Sequence, residues 1–156
     1  MRGSKFLYLP ALAAVLSGCA TFNSKDPVTR KVTSEVALSE QRTTESLTLS
    51  NLAALERSLN DFIQAKGRIP ASLTELIPDY IAEIPEVKLG ISDHGDTKRV
   101  HVYPPTVILE EQINGAALDD SGGWGYAFND KQVIIFVDCT HKRIDGSLWY
   151  RARGVF

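Results

Sequence analysis

The sequence has few cysteines, no apolar segment of transmembrane length and no excess of basic residues. Its 156 residues include only two cysteines, which excludes a small scaffold built on several disulfides. The apolar run from Phe6 to Leu16 is too short to span about 30 Å of hydrocarbon, so a membrane bundle is also excluded. The chain carries 17 basic and 19 acidic residues, and this balance argues against a nucleic-acid partner.

What the chain does contain fits one globular domain with a tail. Apolar residues make up 44% of the sequence and charged residues 23%, which is enough to form a core. Phosphate-loop, Gly-x-Ser-x-Gly and Gly-x-Gly-x-x-Gly motifs do not occur. The composition therefore predicts a folded domain without indicating a particular chemistry.

The first eighteen residues have the layout of a secretory signal. Arg2 and Lys5 precede the apolar run, and the segment ends in Leu16-Ser17-Gly18-Cys19. This ending resembles the lipobox of bacterial lipoproteins. The resemblance implies that residues 1–18 are a signal peptide and that Cys19 becomes the lipidated first residue, carrying acyl chains such as palmitate. Two or more acyl chains anchor a protein stably in a membrane. A plain secretory signal followed by a coincidental cysteine is the alternative.

Several expectations follow for the mature chain. Removal of residues 1–18 leaves 15 basic and 19 acidic residues, a net charge of −4. The lipoprotein sorting rule usually reads Asp directly after the lipidated cysteine as an inner-membrane retention signal. This sequence has Ala20 at that position, so the resemblance favours the outer membrane, with the domain facing the periplasm. The polar residues 19–35 are predicted to be a lipidated tether. With Cys19 acylated, Cys139 is expected to be buried or to pair between chains.

Apolar residues at helical spacing predict a long amphipathic helix that ends near residue 66. The helix is predicted to begin between Val36 and Leu47, because Thr43, Thr44 and Ser46 lower helix propensity. Gly67 directly after Lys66 is a typical helix stop. The residues predicted to form the buried stripe are Leu52, Leu55, Leu59, Phe62 and Ile63, with Arg57, Asn60, Asp61 and Gln64 opposite.

The remaining chain predicts one short helix and a β meander. Ser72 and Glu75 have capping-box spacing, which predicts a helix from Leu73 that stops at or before Pro78. Strands are predicted over 98–103 and over the hairpin of 124–128 and 133–137, a last strand or an extended tail begins at Leu148, and 106–113 favours a short helix. The predicted fold is α+β over residues 36–156, with the long helix packed on a small antiparallel sheet.

Two windows of the sequence resemble type II secretion pseudopilins and type IV pilins. Gly67-Arg68-Ile69-Pro70 followed by Leu73, Leu76, Pro78 and Tyr80 is similar to the turn that follows the pilin helix, and 120–126 is similar to the start of the pilin C-terminal sheet. The resemblance implies a pilin-like fold and envelope or secretion proteins as partners. The sequence departs from that family in lacking its prepilin-peptidase site and its apolar N-terminal helix, and a lipobox-like segment stands in their place.

No metal or catalytic set is predicted from residue spacing. His94, His101 and His141 have no metal-ligand spacing, so surface or loop histidines are expected. On an extended strand the Cβ atoms of Cys139 and His141 would lie about 6.5–7 Å apart, which a hydrogen bond does not bridge unless the strand bends. A buried thiol and a strand-end histidine are therefore preferred over a catalytic dyad. Major pseudopilins hold calcium in a C-terminal loop, and the resemblance makes Asp119, Asp120 and Asp138 weak calcium candidates. Solvated turn aspartates are the preferred interpretation.

Three functional hypotheses remain from the sequence. The first is a non-enzymatic, lipid-anchored envelope protein that contributes to a secretion or pilus-related assembly through protein contacts. The second is a periplasmic module that binds a small ligand or a glycan through exposed aromatic rings. An enzyme comes third and would need a deep cleft at Asp138, Cys139 or His141. The aromatic candidates for the second hypothesis are Tyr103, Trp124, Trp149 and Tyr150.

Overall fold

The structure, a computed structural model, describes residues 27–153, so the signal peptide and Cys19 lie outside the described residues. Its main element is a single α-helix, α1, spanning Pro27–Lys66. The helix ends where the sequence predicts, because Gly67 adopts a φ of 65° and its N–H donates to the carbonyl of Ile63 at 2.8 Å.

The start of α1 differs from the prediction, since the helix begins well before Val36. The hydroxyl residues that lower helix propensity are accommodated within the helix. Thr43 Oγ1 donates to the carbonyl of Ser39 at 3.0 Å, and Thr44 Oγ1 donates to that of Glu40 at 2.9 Å. No glycine or proline interrupts residues 28–66, so nothing in this segment breaks the helix.

The second half of α1 supplies the core, as the stripe predicted. Leu52 and Leu55 are fully buried, Leu59 and Phe62 are 3% exposed, and Ile63 is partly buried against them. The four residues predicted to lie opposite are all exposed: Arg57, Asn60, Asp61 and Gln64. The stripe belongs to one apolar cluster with residues of the short turn and the sheet, among them Leu73, Leu76, Trp124, Tyr126, Ile135, Val137 and Trp149.

A single 3₁₀ turn, Leu73–Leu76, takes the place of the predicted second helix. Ser72 caps it by accepting a hydrogen bond from Thr74 N at 3.1 Å, and Glu75 reaches back to accept one from Ala71 N at 2.6 Å. The polar ends of two core rings tie this region to the sheet. Tyr126 Oη donates to the carbonyl of Pro70, and Trp124 Nε1 donates to that of Pro85, both at 2.7 Å.

Five strands follow: β1 (Val100–Tyr103), β2 (Ile108–Leu109), β3 (Gln112–Ile113), β4 (Trp124–Phe128) and β5 (Val133–Val137). They form a three-stranded sheet in the order β1-β4-β5 and a separate β2-β3 hairpin. The α+β class is confirmed, and so is the β4-β5 hairpin. The sheet is mixed, however, because β1 pairs with β4 in parallel. The segment between β1 and β4 is long enough to return the chain to the same end of the sheet.

Two further predictions of local structure are wrong. Residues 106–113 form the end of a 3₁₀ turn and the β2-β3 hairpin in place of a helix, because Glu110 and Glu111 adopt positive φ values of 49° and 65° that suit a two-residue hairpin turn. The expected last strand is reduced to a single bridge between Lys142 and Leu148. It is followed by the 3₁₀ turn Trp149–Arg151, in which Trp149 N donates to the carbonyl of His141 and Tyr150 N to that of Cys139, both at 3.2 Å.

Among residues 27–153, no helix is both long and apolar enough to cross a bilayer. The first part of α1 instead projects from the globular body, and nearly every residue from 28 to 40 is exposed. We call residues 28–40 the projecting segment. Contact with the body begins near Gln41 and Thr44, which lie beside Gly90.

Candidate metal centre

Four side chains with metal-binding atoms meet just beyond the end of β5. They come from three separate parts of the chain and form what we call the four-residue cluster: His94, Asp120, Cys139 and His141. One ligand atom from each of them lies within 4.8 Å of the others. Cys139 is buried, and the other three are partly buried.

Cys139 and His141 are brought together by a bend that follows β5. Cys139 N donates to the carbonyl of Val137 at 2.8 Å, a tight local turn that ends the extended strand. The thiol Sγ consequently lies 3.4 Å from His141 Nδ1 and 3.4 Å from His141 N. The distance expected for an extended strand therefore does not apply, because the chain bends here and brings the two side chains into contact.

Asp120 is held by two hydrogen bonds from a single residue. Its Oδ1 accepts from Thr140 N at 2.7 Å, and its Oδ2 accepts from Thr140 Oγ1 at 3.0 Å. Burial alone would raise the pKa of Asp120, but these hydrogen bonds and the nearby rings of His94 and His141 lower it below its ordinary value. The carboxylate is therefore ionised at neutral pH and points at the two histidines.

His94 enters the cluster from the loop formed by residues 88–96. A bridge between Val87 and Thr97 closes this loop, with Val87 N donating to the carbonyl of Thr97 at 2.8 Å. The ring is 10% exposed and packs over Gly122, where a Cβ would come within 2.7 Å of His94 Cβ. Glycine at this position therefore makes room for the imidazole.

The Nε2 atom of His94 is buried and has no hydrogen-bond partner. It lies 3.3 Å from Asp120 Oδ1, a distance that permits electrostatic attraction, but the geometry does not make a hydrogen bond. Leaving a buried polar group without a partner costs about 1–3 kcal/mol. This nitrogen thus faces the cluster without a hydrogen bond to offset that cost.

His141 is oriented from its other side by a carboxylate. Its Nε2 lies 3.3 Å from Asp93 Oδ2, while its Nδ1 faces Cys139 and lies 3.8 Å from Asp120 Oδ2. The rings of His94 and His141 meet edge to face, with centroids 5.1 Å apart. Such a carboxylate behind an imidazole is the usual outer partner of a metal-binding histidine.

The protonation of Cys139 bears on what the cluster can do. Burial raises the pKa of the Cys139 thiol to about 12, and the nearby carboxylates of Asp120 and Asp138 add to the increase. At neutral pH the thiol is therefore protonated and is a poor nucleophile. The thiolate is the form that binds a metal, so a cation at this position would displace the thiol proton.

The three aspartates considered for calcium are not brought together. Asp119 is exposed and pairs with His101 Nδ1 at 3.0 Å, whereas Asp138 is fully buried and its Oδ2 accepts hydrogen bonds from Ser121 N and Oγ. Only Asp120 belongs to a metal-competent group among the described residues.

The aromatic side chains proposed as an exposed binding surface are buried. Trp124 and Trp149 have no exposed surface, and Tyr103 and Tyr150 are 5% and 8% exposed. Tyr103 Oη also accepts a hydrogen bond from Asp119 N at 2.9 Å. These four rings are therefore core residues, and the hypothesis of an exposed aromatic platform loses its candidates.

The four-residue cluster could not be predicted from the sequence, because all four of its members lie in loops at irregular spacing. His94 and His141, expected to be surface or loop histidines, meet although they are far apart in sequence, while His101 lies in β1 outside the cluster. One local signal was available: a cysteine and a histidine two positions apart just after a β-branched strand.

Comparison of the chain with protein family models, with curated proteins and with solved structures gave no match.

Proposed function

We propose that the protein is a non-enzymatic, lipid-anchored component of the bacterial cell envelope, with a pseudopilin-like domain that binds other envelope proteins of a secretion or pilus-related assembly. The proposal combines the lipobox resemblance at Cys19 with an α+β domain in which one long helix packs on a small sheet. The outer membrane is the proposed location.

The projecting segment is the observation that carries the proposal. At 1.5 Å per residue, thirteen residues of exposed helix extend about 20 Å from the body. A helix placed between a lipid anchor and a folded domain would hold that domain away from the membrane surface. Such a spacer suits a protein whose body must reach partners in the periplasm.

The projecting segment also carries an apolar face. Val28, Val32 and Val36 recur at intervals of four and are 67%, 54% and 51% exposed. At 100° per residue, they lie on the side of α1 opposite the stripe of Leu52 and Leu55 that covers the core. We call these three valines the valine face. Anchors at this spacing suit the apolar groove of a partner envelope protein.

Labelling with palmitate in bacterial cells tests the lipid anchor. The full chain should incorporate the label, and Cys19→Ser should not. Incorporation that is absent from the wild-type chain, or that persists in Cys19→Ser, would contradict anchoring at this residue.

A photo-crosslinking amino acid placed on the projecting segment tests the protein contact. At Val36 it should yield defined adducts with envelope proteins, whereas at Ser34 it should yield few. Ser34 is exposed and lies on another side of the same helical turn, so it is a matched control. Equal yields at the two positions, or no adduct at Val36, would overturn the proposed valine face as the contact.

A further inference from the structure

We infer that the four-residue cluster is a zinc site in which His94, Asp120, Cys139 and His141 each provide one ligand. This inference is independent of the proposed envelope function, because it rests on the geometry of the folded domain alone. Its first support is the set of separations between the ligand atoms.

Zinc bonds of 2.0–2.3 Å in a tetrahedral site place neighbouring ligand atoms about 3.3–3.8 Å apart. Three pairs of atoms in the cluster show such separations: 3.3 Å between His94 Nε2 and Asp120 Oδ1, 3.4 Å between Cys139 Sγ and His141 Nδ1, and 3.8 Å between His141 Nδ1 and Oδ2, the other carboxylate oxygen of Asp120. All four ligand atoms lie within 4.8 Å of one another. The metal therefore fits with small side-chain adjustments.

The unpaired His94 Nε2 is the second, independent support. It is buried, aimed at the other three residues and without a hydrogen bond. A bound cation would accept the lone pair of this nitrogen and so would satisfy it. It would also attract the ionised carboxylate of Asp120 and favour the thiolate form of Cys139.

The surroundings of the ligands fit a metal as well. With the metal on His141 Nδ1, the proton of this ring is on Nε2, which faces Asp93 Oδ2 at 3.3 Å. The two hydrogen bonds from Thr140 orient the carboxylate of Asp120. Gly122 allows the His94 ring to approach closely. Each of the three partly buried ligands is thus positioned by a neighbouring group.

The chemistry of the four ligands selects zinc. Calcium takes six to eight oxygen ligands and magnesium prefers six, whereas one sulfur, two imidazole nitrogens and one carboxylate oxygen at tetrahedral separations suit Zn²⁺. Four protein ligands leave no open position for a substrate, which marks a structural site. His94 belongs to loop 88–96, whereas the other three ligands lie near the end of the sheet. The metal would therefore hold this loop against the sheet.

The test uses the full chain, purified without a histidine tag, treated with chelator and titrated with zinc against a competing indicator. We expect one zinc per chain and a loss of at least tenfold in affinity for His94→Gln and for Cys139→Ser. With cobalt(II), the wild-type protein should show the intense visible absorption of a tetrahedral site and a thiolate charge-transfer band, and Cys139→Ser should lack that band. His101→Gln is the matched histidine control and should bind zinc as the wild type does.

Asp93→Asn keeps the test decisive if the ligand variants fail to fold. Asp93 is exposed and is not itself a ligand, so the variant should fold normally and lose about tenfold in zinc affinity. Hydrogen exchange of loop 88–96 should slow on zinc addition in the wild type and remain unchanged in His94→Gln. Zinc binding that is equal in wild type, Asp93→Asn and folded His94→Gln would overturn the site. A different metal held by the same residues would overturn the assignment to zinc.

Discussion

The core beneath α1 is buried and mostly apolar, whereas the four-residue cluster is polar and, apart from Cys139, only partly buried. In the core, Leu52, Leu55 and Leu59 meet other apolar side chains, and the polar tips of Tyr126 and Trp124 find carbonyl partners. In the cluster, one buried imidazole nitrogen has no hydrogen bond. The core therefore stabilises the fold without any added component, whereas the zinc that we propose would satisfy the open nitrogen of the cluster.

The largest expected effect on stability comes from a substitution in the core. Leu55→Ala removes a fully buried side chain from the α1 stripe and should lower the free energy of unfolding by about 2–5 kcal/mol. Urea unfolding measures this loss, which should be the same with and without zinc. Leu47→Ala is the matched control, because Leu47 lies on the same helix but is 44% exposed. A zinc-dependent loss in Leu55→Ala would show that the two regions are not separate.

A smaller effect is expected where α1 meets the chain that follows the cluster. Glu45 is 5% exposed, accepts a hydrogen bond from Ile144 N at 2.8 Å and lies 3.7 Å from Arg143 Nε. Glu45→Ala would leave the Ile144 N–H without its partner and should cost about 1–3 kcal/mol in urea unfolding. Glu40→Ala, in the projecting segment, removes an exposed carboxylate and should change little. Equal losses in the two variants would contradict a role for Glu45 in joining α1 to this loop.

Substitution of Gly122 perturbs the cluster without replacing any of its four residues. Gly122→Ala places a Cβ within 2.7 Å of His94 Cβ and also strains a residue with a φ of +72°. The backbone part should cost about 1–2 kcal/mol, and the displaced His94 should in addition weaken zinc binding. Gly67→Ala is the matched control, since its φ is +65° and its added Cβ meets nothing within 4 Å.

Thermal unfolding and zinc titration together separate the two effects of Gly122→Ala. Both glycine variants should be destabilised, but only Gly122→Ala should lose zinc affinity. An unchanged zinc affinity in Gly122→Ala would mean that the position of His94 does not limit metal binding.

The same comparison explains what could be predicted from the sequence. The stripe of α1, the stop at Gly67, the Ser72 cap and the β4-β5 hairpin arise from periodicity or from residues close in sequence, and all were predicted correctly. The parallel pairing of β1 with β4 was not predicted, because strand direction depends on the path of the whole connecting segment.

The cluster depends on geometry that local patterns do not contain. The turn at Cys139 converts an expected strand into a bend, and His94 arrives from a loop that precedes β1. Likewise, α1 starts earlier than predicted because its hydroxyl side chains are accommodated by bonding back to the preceding turn and no glycine or proline interrupts residues 28–66. Sequence periodicity identifies surfaces that pack, whereas a site assembled from three loops requires the fold.

The smallest expected effect lies on the surface, at the pair formed by Arg68 and Glu75. A hydrogen bond of 2.6 Å from Arg68 and another from Ala71 N lower the pKa of Glu75 below its ordinary value of 4.5. Because the folded-state pKa is the lower one, the carboxylate stabilises the protein fully above pH 4.5, and this contribution is lost as pH falls through the folded-state pKa. Glu75→Gln keeps an acceptor for Ala71 N and removes only the charge, so its stability should approach that of the wild type at low pH.

Urea unfolding at neutral pH and at pH 3 measures the difference in stability between Glu75→Gln and the wild type. Added salt should reduce this difference at neutral pH. Glu40→Gln removes the same charge from the projecting segment, and an identical pH profile for the two variants would show that the pair contributes nothing of its own.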